Sequence, residues 1–585
     1  MHKEIGKMRK RLLVLSAGMM LLAGLLYGCG EQVPAGGENV ITGNKEETGK
    51  TEGKEEDKAQ LEEAELEQLT QGEVQMSVKD LADYASGMAM LDEDAPEQMV
   101  YSLEMPQIPE SDDAYLYLFA AESYENTEKL SGEPIAVWKK GRTSEVTFDY
   151  EEEYLFKLFV PTLLMEGKYV PVGTGIYLLN PEALADNQND YPDMGSKKGV
   201  LLDPTMLGTK ELTDLDVKHT IYNIPLSLIM GETTDENYPT IVYNYEGKDY
   251  YFNGQIISEY DGLFSYLANI GMCSTAVVLN DWNDAHMEMI HPKARNQKSG
   301  AYYYMFNTAE EEGIKELEAV ASFLAGRYSD GEHGMVHNWV IANEINQFKT
   351  WNYMDTKDPV YYAQEFEKSL RIFYQAIKSR YANARVYFSV DHDWNSNGGN
   401  NRDYFNARDL IVAFNDAATE HGNYDWGIAI HPYPEPLTRV NYWSSECDKT
   451  QEAEVLTVMN LNVLTDLLGQ EEYLDRSGEM RSITITELGF SSKSGEKLQA
   501  AAFAYCYFIV DANPYIDAFI LNRQTDAPEE VVSGLAFGLY EYDHSEKYLK
   551  EVFRYIDTDR AQEYTDFMLN ILGAESLEEA LSWAE

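Results

Sequence analysis

From residue 197 onward, short runs of almost unbroken apolar character alternate with longer segments whose apolar residues recur every three or four positions. The runs are KKGVLL (197–202), HTIYNIPLS (219–227), STAVVLND (274–281), NWVIAN (338–343), RVYFSVD (385–391), WGIAIHPY (426–433), SITITELGF (482–490) and IDAFILNR (516–523). Between them lie stripes such as Ile256, Tyr260, Leu263, Leu267 and Ile270, then Ile314, Leu317, Val320 or Ala321, and Leu324, then Phe366, Leu370, Phe373 and Ile377. Further helices are predicted up to 215 and over 404–419, 452–468, 496–511 and 547–556. Strand-length runs that are apolar on both faces belong in a parallel sheet covered on both sides, and the stripes are helices laying one face on it. Eight of each in strict alternation predict an α/β fold, a (β/α)8 barrel over 191–585.

The pattern differs before residue 191. Over 98–190 the runs YLYLFAAE, EPIAVWKK, SEVTFDY, YLFKLFVPTLL and KYVPVGTGIYLL alternate with period two between turn residues. They predict antiparallel strands in a smaller N-terminal β-sandwich. No exposed aromatic platform can be picked out of them, so a packing domain is expected rather than a carbohydrate-binding module. Residues 30–97 are rich in Glu, Lys and Gly and read as an acidic flexible linker, because such a segment buries too little apolar area to offset the entropy of ordering. At the start, Lys3, Lys7, Arg9, Lys10 and Arg11 precede the apolar stretch LLVLSAGMMLLAGLLYGCG, the form of a secretory leader over 1–29. Leu26-Tyr27-Gly28-Cys29 resembles a bacterial lipobox, which implies an exported chain, lipidated at Cys29 and held outside the cell membrane by that anchor alone.

Composition narrows the partners. Against 46 lysines and arginines stand 100 acids, a formal charge of −54 that repels nucleic acid and anionic lipid but suits a neutral substrate. Beyond Cys29, only Cys273, Cys447 and Cys506 occur, too far apart for a zinc-type pair or a disulfide framework.

In barrels of this kind the chemistry sits where strands end. The fourth run, WVIANEINQF, ends on Asn343 and Glu344, and the seventh ends on Glu487 in TELGF. An Asn-Glu pair on the fourth strand with a Glu closing the seventh resembles the retaining glycoside hydrolases of clan A. The likeness spans about residues 196–557 and is nearest to a poorly characterised bacterial glycoside-hydrolase-like lipoprotein family. It implies hydrolysis of O-glycosidic bonds in an oligo- or polysaccharide by double displacement, with Glu344 as acid/base, Glu487 as nucleophile and Asn343 on the sugar 2-hydroxyl. Retention needs one neutral and one ionised carboxyl roughly 5–5.5 Å apart, and the proximity of two negative charges raises one pKa.

Other strand ends supply His431 and Tyr433, which the resemblance places near the nucleophile, and Asn522, Arg523 and Asp526 as sugar contacts. Asp391, His392 and Asp393 are expected to hydrogen-bond sugar rather than metal, since adjacent residues of an extended segment point to alternate sides. Trp282, Trp351, Trp394 and Trp443 follow strands three to six, and their flat faces suit stacking on pyranose rings. The chain departs from the clan pattern at two points: Asn223 stands where many members carry an Arg, and Leu521-Asn522-Arg523 where many carry a Trp. Arg523 could then support the nucleophile's charge from the other side. No cofactor and no metal is implied. A non-catalytic glycan-binding lipoprotein on the same barrel remains as the alternative.

Overall fold

The structure, a computed structural model, describes residues 72–130 and 132–584. The expected leader, Cys29 and most of the expected linker lie outside the described residues. Eight parallel strands close into a barrel in sequence order: β1 (Lys198–Leu201), β2 (His219–Pro225), β3 (Cys273–Leu279), β4 (Asn338–Ile341), β5 (Arg385–Asp391), β6 (Trp426–His431), β7 (Ile483–Leu488) and β8 (Ile516–Leu521). β8 pairs back onto β1 through Phe519, Ile520 and Leu521, so the barrel has no free edge. The principal helices between them are α1 (Glu211–Asp214), α2 (Gly254–Asn269), α3 (Glu311–Arg327), α4 (Pro359–Lys378), α5 (Ala407–Glu420), α6 (Asn462–Leu468), α7 (Glu496–Ala512) and α8 (Leu549–Tyr555). The chain is therefore a (β/α)8 barrel, as the alternation predicts.

Alternate strand residues divide between two cores. Ile221, Val277, Val340, Tyr387, Ala429 and Ile520 fill the inside, while neighbours such as Ile224, Val278, Ile341, Phe388 and Ile485 face the helices. Gly427 fits this division, because a Cβ there would lie 2.4 Å from the Tyr387 ring that occupies the barrel interior. Parity also decides what reaches the mouth. Asn223, Asp391 and His431 share the inward parity of Ile221, Tyr387 and Ala429, so each is aimed inward at its strand end.

Three elements differ from the sequence reading. A hairpin (Ile241–Tyr245 with Lys248–Phe252) precedes α2. The helix expected over 452–468 keeps only its second half, with a short 3-10 turn (Val458–Asn460) before it. Its first half is drawn into loop contacts, since Trp394 and Asn395 both donate their backbone N–H to the Glu454 carbonyl. Beyond α8 the chain continues through helices Ala561–Thr565, Phe567–Leu572 and Leu577–Ser582.

The N-terminal part is a two-sheet sandwich. Ser86–Asp92, Ala95–Glu104 and Thr143–Asp149 form one antiparallel sheet, and Ala136–Lys139, Tyr115–Ala121, Leu158–Met165 and Lys168–Pro171 the other, in those spatial orders. Met99, Tyr101 and Leu103 from the first pack with Leu116, Leu118, Trp138 and Phe159 from the second. Strands thus begin before residue 97, inside the segment expected to be linker. Leu81, Ala89 and Leu91 give that stretch enough buried apolar surface to order it. The sandwich meets the barrel near Gly422 and Tyr381, just before β6 and β5 begin: Tyr177 N–H donates to the His421 carbonyl and Ala382 N–H to that of Asn187. That is the end opposite the mouth.

Candidate active site

The ends of β4 and β7 present their carboxylates by breaking strand regularity. On β4, Ala342 (φ 64°) and Glu344 (φ 39°) both adopt left-handed backbone conformations, which cost on the order of 1–3 kcal/mol each for residues with a Cβ. The turn is held from β5, where Ser389 accepts from Glu344 N–H through Oγ at 2.7 Å and from Ile345 N–H through its carbonyl. On β7, plain alternation would set Glu487 with Ile483 and Ile485 on the helix face. The ladder to β8 shifts register between Ile485 and Leu488, and Glu487 turns to the mouth instead. Gly489 makes room for this, since a Cβ there would sit 2.4 Å from the Asn522 carbonyl oxygen.

His431 stands between the two acids. Its Nδ1 is 2.9 Å from Glu344 Oε1 and 3.9 Å from Glu487 Oε2, and its Nε2 is 2.9 Å from Thr486 Oγ1. These distances bound the two carboxylate oxygens at no more than about 7 Å apart, a limit within which a retaining pair fits. Tyr433 Oη (2.9 Å) and Asn522 Nδ2 (3.2 Å) both donate to Glu487 Oε1, and Asn522 also donates to Tyr433 at 2.8 Å. Neither donor takes Oε2. The Glu344 side chain is 14% exposed and that of Glu487 24%; Glu487 lines the cleft, and Glu344 meets it through His431, which lines it too.

Burial raises the Glu344 carboxyl above its ordinary range, the hydrogen bond and charge of His431 oppose the rise, and the charges of Asp391 and Glu487 add to it. Burial alone would lower His431, but the bond to Glu344 and the negative charges of Glu487, Glu344 and Asp391 outweigh it and raise its pKa. The two groups hold a proton between them more tightly than either would in water.

The cleft is small, with a cavity volume of about 70 Å³, and opens to solvent at its mouth. Asn223, Asn343, His431, Glu487, Asn522 and Arg523 line it as the sequence suggests, together with Trp351. Trp351 stacks on Tyr302, with ring centroids 4.9 Å apart. Tyr303, Thr486 and Glu530 line it too, and the sequence reading passed over them. Thr486 carries the inward parity of its strand and was legible on that ground.

Other expected contacts lie elsewhere. Trp394 is fully buried beneath the loop after β6 and presents no face to a sugar. Trp282 donates to Asp284 and packs edge-on against Tyr304, and Trp443 lies against Tyr442 and Tyr505. Asp391 exchanges two hydrogen bonds with Asn346, locking the exit of β4 to β5. His392 is buried with Nε2 3.4 Å from Glu435. Burial would lower it, but the bond to Glu435 and the charges of Asp391, Asp393 and Glu435 raise its pKa to about 9. The ligand atoms of Asp391, His392 and Asp393 do converge within 4.8 Å, contrary to the alternation argument, because the strand ends at Asp391. Both carboxylates are already engaged, Asp391 by Asn346 and Asp393 by Gln347 and Ser396. Arg523 approaches Glu530 at 3.8 Å rather than supporting Glu487.

Asp526 is no sugar contact. It pairs with Lys547 at 2.6 Å, both side chains fully buried, and accepts from Gly538 N–H. Breaking such a pair leaves an uncompensated buried charge. Lys547→Met is therefore expected to cost about 3–5 kcal/mol, seen as a lower denaturant midpoint, and an unchanged midpoint would contradict the pairing.

Fold and site together define a (β/α)8-barrel protein with two carboxylates sharing one imidazole at the C-terminal mouth. The chain belongs to the family described as a family of unknown function, DUF5722, whose match covers residues 190–580. No curated protein matches the sequence. Among solved structures it is similar to a family 39 glycoside hydrolase from Bacteroides cellulosilyticus WH2, at 15% identity over 76% of this chain and 77% of that one, with a TM-score of 0.41. The beta-glycosidase of Thermosphaera aggregans gives 13%, 63%, 88% and 0.39, and the GH53 catalytic domain of Ignisphaera aggregans 12%, 63%, 99% and 0.38. Likeness at these scores assigns no residue a role, and the barrel rests on its own strand pairing.

Proposed function

We propose that the protein is a retaining glycoside hydrolase acting on an oligo- or polysaccharide. One observation carries the reading: Glu344 and Glu487, at the ends of β4 and β7, flank one imidazole, His431, which lines the cleft with Glu487, and the Glu344 pKa is raised. In this reading Glu344, whose pKa burial raises, protonates the departing glycosidic oxygen. Glu487 attacks the anomeric carbon with Oε2, the oxygen that Tyr433 and Asn522 leave unengaged. The glycosidic C–O bond breaks, an ester to Glu487 forms, and the aglycone leaves with the proton. Glu344, now a carboxylate, takes a proton from water, which displaces Glu487 and releases the sugar with its original anomeric configuration. His431 keeps its Nδ1 hydrogen bond to Glu344 as the charge on Glu344 changes, and Asn343 lines the same cleft, where it would meet the sugar 2-hydroxyl.

The test is incubation with plant, fungal and host glycans while following new reducing ends. Release by the native protein and not by Glu344→Gln supports the reading, and equal release by both sinks it. Export and anchoring through Cys29 belong to the same proposal and are read from residues 1–29 alone. Cys29→Ala is expected to abolish incorporation of labelled fatty acid in a bacterial host, and retained label would refute the anchor.

A further inference from the structure

We propose that Glu530 and Arg523 form the closed end of a site for the terminal residue of a neutral glycan, so that the protein works from chain ends. The inference rests on the glycosidase reading and names its substrate class. It begins with hydrogen-bonding capacity left unused inside the protein. Glu530 lies in a five-residue helix (Pro528–Val532) after β8. Its side chain is only 3% exposed, yet neither carboxylate oxygen has a hydrogen-bond partner among the described residues. The Arg523 side chain is 8% exposed, and its Nε is likewise unpartnered, as is Asn522 Oδ1. At 3.8 Å the nearest approach of Arg523 to Glu530 is an ion pair and not a hydrogen bond. All three residues line the cleft that contains Glu487. A buried polar group without a partner costs about 1–3 kcal/mol, so four such atoms around one space point to a polar occupant.

The chemistry of the atoms selects the occupant. A carboxylate offers two acceptors and a guanidinium several donors, and adjacent sugar hydroxyls both donate and accept. A uronate would add a further negative charge beside Glu487 and Glu530. That side of the cleft is already short of positive charge: burial lifts the Glu530 carboxyl to about 7, Arg523 opposes the rise, and Glu487, Asp526 and Glu529 add to it. A neutral sugar fits and an acidic one does not.

The surroundings make it a terminal sugar. Asp526, between Arg523 and Glu530 in the chain, forms its fully buried pair with Lys547, and Asn522, Arg523 and Glu530 are 4%, 6% and 2% exposed. In this proposal that buried wall closes the cleft, and the residue seated against it ends the chain.

Calorimetric titration with glucose, galactose, mannose, xylose, arabinose, fucose and glucuronate tests the site without requiring turnover. At least one neutral sugar is expected to bind with a millimolar Kd and glucuronate not to bind. Glu530→Gln, which preserves shape, should weaken the neutral sugar at least about tenfold. A deoxy analogue lacking the hydroxyl that faces Glu530 should bind native protein and variant alike, which a merely structural role would not produce. Arg523→Lys is the second variant should Glu530→Gln fail to fold, with the same loss expected. No neutral sugar bound, glucuronate bound better, or unchanged binding in a folded variant overturns the proposal. Internal cuts in a polysaccharide without release of terminal sugars overturn the chain-end claim and leave the hydrolase reading standing. Sugar binding that depends on Glu530 without any cleavage sinks the hydrolase reading and leaves this site intact.

Discussion

Glu487→Ala is expected to lower turnover by roughly 10⁴- to 10⁶-fold, because it removes the atom that forms the covalent intermediate and not merely a contact. The geometry makes a further demand. Tyr433 and Asn522 hold Glu487 Oε1 from one side, and truncation leaves them facing an emptied space at the same position. A small anion such as azide or formate can occupy that space and attack the same face of the sugar. Added azide should therefore restore turnover on a glycoside with a good leaving group and give a glycosyl azide of opposite anomeric configuration, visible by proton NMR. Undiminished activity in the variant would remove Glu487 from the mechanism, and rescue with retained configuration would contradict its place opposite the leaving group.

The second large effect is at Glu344. Glu344→Gln should cost about 10²- to 10⁴-fold on natural glycans, the usual range for loss of a general acid. It should cost far less on aryl glycosides whose phenolate leaves unaided. The pH profile separates an acid from a structural residue. Burial raises the Glu344 pKa, so the neutral form persists to higher pH than for an ordinary glutamic acid. Activity is then lost as pH rises through that raised value. Since glutamine does not titrate, the variant should lack this alkaline limb in kcat/KM. A limb that survives unchanged in Glu344→Gln would assign the titration to another group, with His431 first among those in contact.

How much of this the sequence discloses depends on whether a residue's environment is local. The barrel was legible because β3 and β6 are buried at every position, so their apolar runs have no polar face to confuse the period. Glu344 and Glu487 were legible because a polar residue ending such a run has few uses other than at the mouth. The left-handed turn at Ala342 and Glu344 and the register shift on β7 were not, since they arise from contacts with β5 and β8. Trp394 and Trp351 are the same residue type after neighbouring strands. One is sealed beneath the loop after β6 and the other lines the cleft, a difference made by how distant loops fold over each. Glu530 fails the sequence reading for the converse reason. In DAPEEVV it reads as an exposed acid in the first turn of a Pro-started helix, and only the closure of the segment after β8 buries it.

The central claim is that the protein forms a covalent glycosyl intermediate on Glu487. It is tested most directly with a 2-deoxy-2-fluoro glycoside of the released sugar bearing a dinitrophenolate leaving group. The fluorine slows hydrolysis of the intermediate more than its formation once such a leaving group is present. Intact-mass and peptide mass spectrometry should find one added fluorosugar on the peptide carrying Glu487 and none in Glu487→Ala. A label on any other residue, or steady cleavage with no adduct and an inverted product, would contradict the account.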